Sequence, residues 1–144
     1  MKEQDTVKLL RECDAGTKMG ISSIDEVLDC VSNDDLRAKL IHSKNEHEAL
    51  RDDIQSQLCV HDDEGKEPSP IAKGMSWIKT NVMLAANDSD KTIADLMTDG
   101  CNMGVKSLNR YLNQYRAADE TSKGFAARLI RMEDTLAHDI RGYL

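Results

Sequence analysis

Two stretches decide how this chain is read: GTKMGISSIDEVL, residues 16–28, and GCNMGVKSLNRYL, residues 100–112. Offset by 84 positions, Gly16, Met19, Gly20, Ser23 and Leu28 fall on Gly100, Met103, Gly104, Ser107 and Leu112, while Ile21 falls on Val105 and Ile24 on Leu108. A second offset, of 86, lays LRDDIQSQL (50–58) over LAHDIRGYL (136–144). A chain that repeats itself in this way is two related units. Each carries apolar residues at steps of three and four, the spacing of one helix face.

Four helices follow. In the first, Val7, Leu10, Asp14, Thr17, Ile21, Ile24, Leu28 and Val31 form the inner stripe, with Asp5 or Thr6 placed to cap its start. SNDD (32–35) makes a turn and an N-cap. The second helix then presents Leu36, Leu40, Ser43, His47, Leu50 and Ile54. The third carries Ala94, Thr98, Cys101, Val105, Leu108, Leu112 and Tyr115. After a break at AADETS, with Asp119 as its cap, the fourth carries Ser122, Ala126, Leu129, Glu133, Leu136, Ile140 and Tyr143.

Neither hairpin, 5–58 or 89–144, can hide its stripe from water alone, so the two pack together as one four-helix domain spanning 1–144. Between them, residues 59–88 form a long crossover with Pro68 and Pro70, in which Ser69-Pro70 reads as the start of a short helix carrying Ile71, Met75, Trp77, Ile78 and Val82. A crossover of that length makes helices two and three parallel. Glycine inside a helix costs about 1 kcal/mol relative to alanine. The paired Gly16/Gly20 and Gly100/Gly104 are therefore expected to allow close approach of helices one and three.

Composition narrows the function. The net charge is −7, with 13 acidic against 8 basic residues in the first 58 positions and eight of each in residues 89–144. Such a surface repels phosphate backbones, so nucleic-acid binding is not expected. No apolar run is long enough for a membrane span or a signal peptide. Four scattered cysteines without a C-x-x-C pair fit a reducing cytoplasm.

The repeated hairpins with a long middle crossover, together with LLRECDAGTKMG (9–20), LMTDGCNMG (96–104) and AHDIRGYL (137–144), resemble the ferritin-like superfamily, in an uncharacterised bacterial branch. The resemblance implies an all-α ferritin-like four-helix bundle. It also raises the di-metal site of that superfamily, which needs a Glu-x-x-His on each of two helices. Here Glu46 is followed at the third position by Ala49, Glu48 by Arg51, Glu133 by Leu136 and Asp134 by Ala137, so the motif is degenerate.

Polar residues nonetheless interrupt the stripes, and the repeat pairs Asp14 with Thr98 and His47 with Glu133. Two readings stand. In one, Asp14, His47 and Glu133, with Cys101, hold a single iron or zinc ion. In the other they form a buried hydrogen-bonded network, and the protein needs no cofactor. His42 with Glu46 and Asp134 with His138 are helical i,i+4 pairs of the kind found on solvated faces, and His61 lies in a polar loop. The expectation from all of this is a non-catalytic bundle acting by self-association, as a homodimer, or by binding a protein partner. Trp77 and the Tyr111/Tyr115 region are its candidate contact surfaces.

Overall fold

A computed structural model describes residues 2–68 and 89–144. It is all-helical, with no strand among the described residues: α1 (Lys2–Leu28), α2 (Asp34–Val60), α3 (Ser89–Gln114) and α4 (Glu120–Ile140), closed by a 3-10 turn at Arg141–Tyr143. The proposed crossover helix and Trp77 lie outside the described residues.

The caps set the boundaries. Asn33 Oδ1 accepts the Leu36 N–H at 3.0 Å, and Asp119 Oδ1 accepts the Ser122 N–H at 2.8 Å, each satisfying a donor left orphaned at a helix start. Asp5 and Thr6 do not cap α1, which already begins at Lys2. They reach across instead to the α3–α4 turn, where Asp5 Oδ2 accepts the Ala117 N–H and Thr6 Oγ1 the Asp119 N–H. α2 ends in a Schellman arrangement. The Asp63 N–H donates to Leu58 O and the Asp62 N–H to Cys59 O, with Asp62 in the left-handed region at φ 54°.

Contacts between helices give their directions. Thr6 meets Asp119 and Gly16 faces Leu129, so α1 and α4 run parallel. Arg128 binds Asp53 and His47 binds Glu133, so α2 opposes α4. The Asp90 carboxylate accepts the Ser32 and Asn33 N–H groups, which puts the start of α3 at the α1–α2 turn. α2 and α3 are therefore parallel, with the end of α2 and the start of α3 at opposite ends of a bundle about 40 Å long, at 1.5 Å per residue for 27 residues.

The stripe of α2 is as the sequence predicts: Leu36, Leu40, Ser43, His47, Leu50 and Ile54 are all buried. The α1 stripe is wider than expected: the predicted Leu10, Asp14, Thr17, Ile24 and Val31 are buried, but so are residues beside them. Leu9, Cys13 and Val27 take the centre, while Val7, Ile21 and Leu28 are only half-buried. The apolar interior falls into two clusters. Ile24, Val27, Leu36, Leu40, Ile93, Met97, Cys101, Leu136 and Ile140 fill the end near the α1–α2 turn. Leu9, Leu10, Cys13, Leu50, Ile54, Leu58, Leu108, Ala126, Leu129 and Met132 fill the other.

The repeated glycines do not bring α1 against α3. A Cβ on Gly16 would meet the Leu129 side chain of α4 at 3.1 Å, and one on Gly20 the His47 ring of α2 at 2.6 Å. On Gly104 it would meet Glu133 of α4 at 3.6 Å or more, and on Gly100 nothing within 4 Å. The roles follow the size of the facing side chain, not the repeat. Gly100→Ala should accordingly stabilise the protein by up to about 1 kcal/mol through helix propensity alone, measured as a rise in the urea midpoint; a fall would mean that α3 packs more tightly there than described.

Candidate functional site

Between the two apolar clusters lies a charged layer. His47 is 1% exposed. Its Nδ1–H donates to the Ser43 carbonyl at 2.7 Å, with Ser43 Oγ a further 3.4 Å neighbour. A carbonyl only accepts, so Nδ1 carries a proton. Nε2 lies 2.6 Å from Glu133 Oε1, which requires a second proton between ring and carboxylate. The pair is thus an imidazolium–carboxylate contact joining α2 to α4. Burial alone would push the His47 pKa down. The Glu133 hydrogen bond and charge, the Ser43 carbonyl and the charge of Glu46 outweigh it and raise the value above that of a free histidine. Gly20 is what lets the ring lie flat against α1, and Gly104 faces the Glu133 side chain from α3.

Cys101 joins this layer. Its thiol is held above the ordinary range, first by burial and then by the charge and hydrogen bond of Glu133. Cys13, deeper in the second cluster, is pushed up to about 12 by burial, with Glu12 and Asp14 adding to it. Both shifts favour the neutral thiol, which is a poor nucleophile.

Asp14 is elsewhere. It lies six residues from Gly20, about 9 Å along the axis, and its carboxylate serves a different structure. Residues 62–67 fold back over α1 as a strap. Asp14 Oδ2 accepts the Lys66 N–H at 3.0 Å and the Lys18 ammonium at 2.8 Å. Arg11 grips Asp63 through two nitrogens, Lys66 Nζ reaches Glu12 at 2.5 Å, and Lys18 reaches Glu67 at 3.1 Å. The Arg11 hydrogen bond holds the Asp63 carboxyl below its usual range. Gly65 adopts φ 91°, and a Cβ there would overlap Asp14 Oδ2.

The structure therefore brings together His47, Glu133 and Cys101, and sends Asp14 to the strap. Among the described residues no group of three or more His, Cys, Asp or Glu side chains is arranged to hold a metal ion. The di-metal centre of ferritin-like bundles does not fit these residues: His47 is tied through both ring nitrogens to a carbonyl and a carboxylate, and Asp14 is held by the strap away from it. His42 and Glu46 approach to 3.3 Å on an exposed face, and His61 lies 3.9 Å from Glu3.

The strap creates a feature that the sequence pattern did not show. Lys8, Arg11 and Glu12 of α1, Gly65 and Lys66 of the strap and Tyr115, just past the end of α3, line a solvent-open cleft of about 330 Å³. Tyr111 and Tyr115 stack behind it, with ring centres 6.2 Å apart. Burial, then the charge and hydrogen bond of Glu12, raise the Tyr111 pKa, so its hydroxyl remains a donor to that carboxylate. From the sequence HDDEGKEP is expected to be only a mobile polar loop, and its docking on α1 is a correction to that expectation. Gly65→Ala should detach the strap. A side chain at that φ costs roughly 1–2 kcal/mol, and trypsin should then cut after Lys66 severalfold faster. An unchanged rate would show that Asp14 does not anchor it.

No family model, curated protein or solved structure matches this chain. No helix among the described residues is long and apolar enough to cross a membrane.

Proposed function

We propose that this chain is a non-catalytic, ferritin-like bundle that works by protein binding, with itself or with another chain, through the face made by α1, the strap and Tyr115. The observation that carries this reading is where its polar chemistry is spent. His47 uses both ring nitrogens internally and Asp14 is consumed by the strap, whereas the cleft beside Tyr115 opens to solvent. A catalytic histidine needs a free ring nitrogen to offer a substrate, and His47 has none; Asp14 keeps Oδ1 without a hydrogen-bond partner, but that oxygen is buried away from solvent and from the cleft. The ferritin-like assignment is supported by the up-down-down-up order of α1 to α4 and by the repeated hairpins.

A photoreactive p-benzoylphenylalanine in place of Tyr115 tests the reading in cells. Irradiation should give a discrete adduct, identified by mass spectrometry as a second copy or another protein. The same probe in place of Arg128, on the α2–α4 face, should give none. Equal adducts from both positions, or none from 115, would remove the basis for this face.

A further inference from the structure

Resting on that reading of the cleft, we propose that its occupant is an acidic segment of another protein, held by carboxylates against Lys8, Arg11 and Lys66 with apolar contact on Tyr115. The charges decide it. Two of the three cations lining the cleft are already matched, Arg11 by Asp63 and Lys66 by Glu12. Lys8 is exposed and has no partner among the described residues. The cleft thus keeps a surplus positive charge in a chain whose net charge is −7. The guanidinium of Arg11 spends Nε and Nη2 on Asp63, which leaves Nη1 without a partner among the described residues. Free ammonium and guanidinium N–H donors beside a tyrosine ring match a carboxylate followed by an apolar or aromatic side chain.

The shape favours a chain over a small anion. The cleft is open along α1 and holds about 330 Å³, room for one or two side chains and not an enclosed pocket. A second copy fits less well. A two-fold contact centred on this face would set Lys8 against its own mate, and like charges across an interface select against it.

The test is anisotropy of a fluorescein-labelled pentapeptide, four glutamates around a phenylalanine, titrated with the full chain at low salt. Saturable binding is expected, weakened at least tenfold by Lys8→Glu and again by raising salt from 25 to 200 mM, since screening acts on exposed charges. Tyr115→Ala should weaken it independently. Lys8 makes no packing contact that the fold needs, and an unchanged melting curve for Lys8→Glu verifies this. The proposal falls if the peptide does not bind, if binding ignores Lys8→Glu, or if inorganic phosphate shows the Lys8-dependent binding and the peptide none. An adduct from position 115 without peptide binding would keep the binding face and remove its acidic partner. Peptide binding that resists Lys8→Glu would place the peptide outside this cleft and remove the acidic occupant from it.

Discussion

His47→Leu should destabilise the protein by about 3–5 kcal/mol, because it leaves Glu133 inside the bundle without its counter-ion. Glu133 is 13% exposed at its side chain, so some water reaches it and the lower end of that range is expected. At roughly 3 °C per kcal/mol for a domain of this size, the melting temperature should fall by about 10 °C. The double change His47→Leu/Glu133→Leu should return to within about 1 kcal/mol of the parent, since the desolvation cost and the attraction are removed together. If the double variant is no more stable than His47→Leu alone, the pair is not what the layer rests on.

The same pair sets a pH dependence. The folded-state pKa of His47 is raised above the ordinary histidine value of 6.5. A raised value means that the folded state holds the proton more tightly than the unfolded chain does. The resulting stabilisation is complete below the unfolded pKa and is lost as pH rises through the folded one. The parent minus the double variant, compared by urea midpoint from pH 6 upward, should therefore decline as pH rises above 6.5. A flat difference would mean that folding does not raise the affinity of the pair for its proton.

How much of this was open to reading depends on what each residue faces. The α2 stripe was legible because α2 buries one narrow seam, and the offset of 86 between hairpins put His47 and Glu133 at corresponding heights while leaving open whether His47 would meet Glu133 or Asp14. α1 packs against all three other helices. Its apolar arc is therefore wide, and a single stripe of threes and fours chose Val7 and Ile21 over Leu9 and Cys13. Asp14 was misplaced for a different reason. It interrupts the α1 stripe just as His47 interrupts that of α2, but its partner is the backbone of Lys66, 52 residues away in a loop with no periodicity. Helical spacing carries no information on where such a loop folds back. The charged layer also answers what the repeat left open. Sliding one hairpin by a helical turn would push an imidazolium or a carboxylate into an aliphatic cluster, so the pair fixes register where two similar apolar stripes would tolerate several.

Gly20→Ala is the sharper test of that layer. Alanine gains about 1 kcal/mol in helix propensity over glycine, and at Gly100 nothing opposes the gain. At Gly20 the new Cβ would lie 2.6 Å from His47 Cδ2 and 2.7 Å from Nε2. The ring cannot swing aside, because Nδ1 is held by Ser43 and Nε2 by Glu133. Either α1 and α2 spread, an overpacking cost of about 1–3 kcal/mol, or the ring leaves its carboxylate, at about 3–5 kcal/mol. The cheaper route less the propensity gain leaves a net loss of up to about 2 kcal/mol, opposite in sign to Gly100→Ala despite the matching place in the repeat. The double-mutant cycle identifies the cause. With His47→Ala and Glu133→Leu already in place the ring is gone, and adding Gly20→Ala should become neutral or stabilising. If it still costs 2 kcal/mol there, the obstruction lies in the α1 backbone and not in the imidazole.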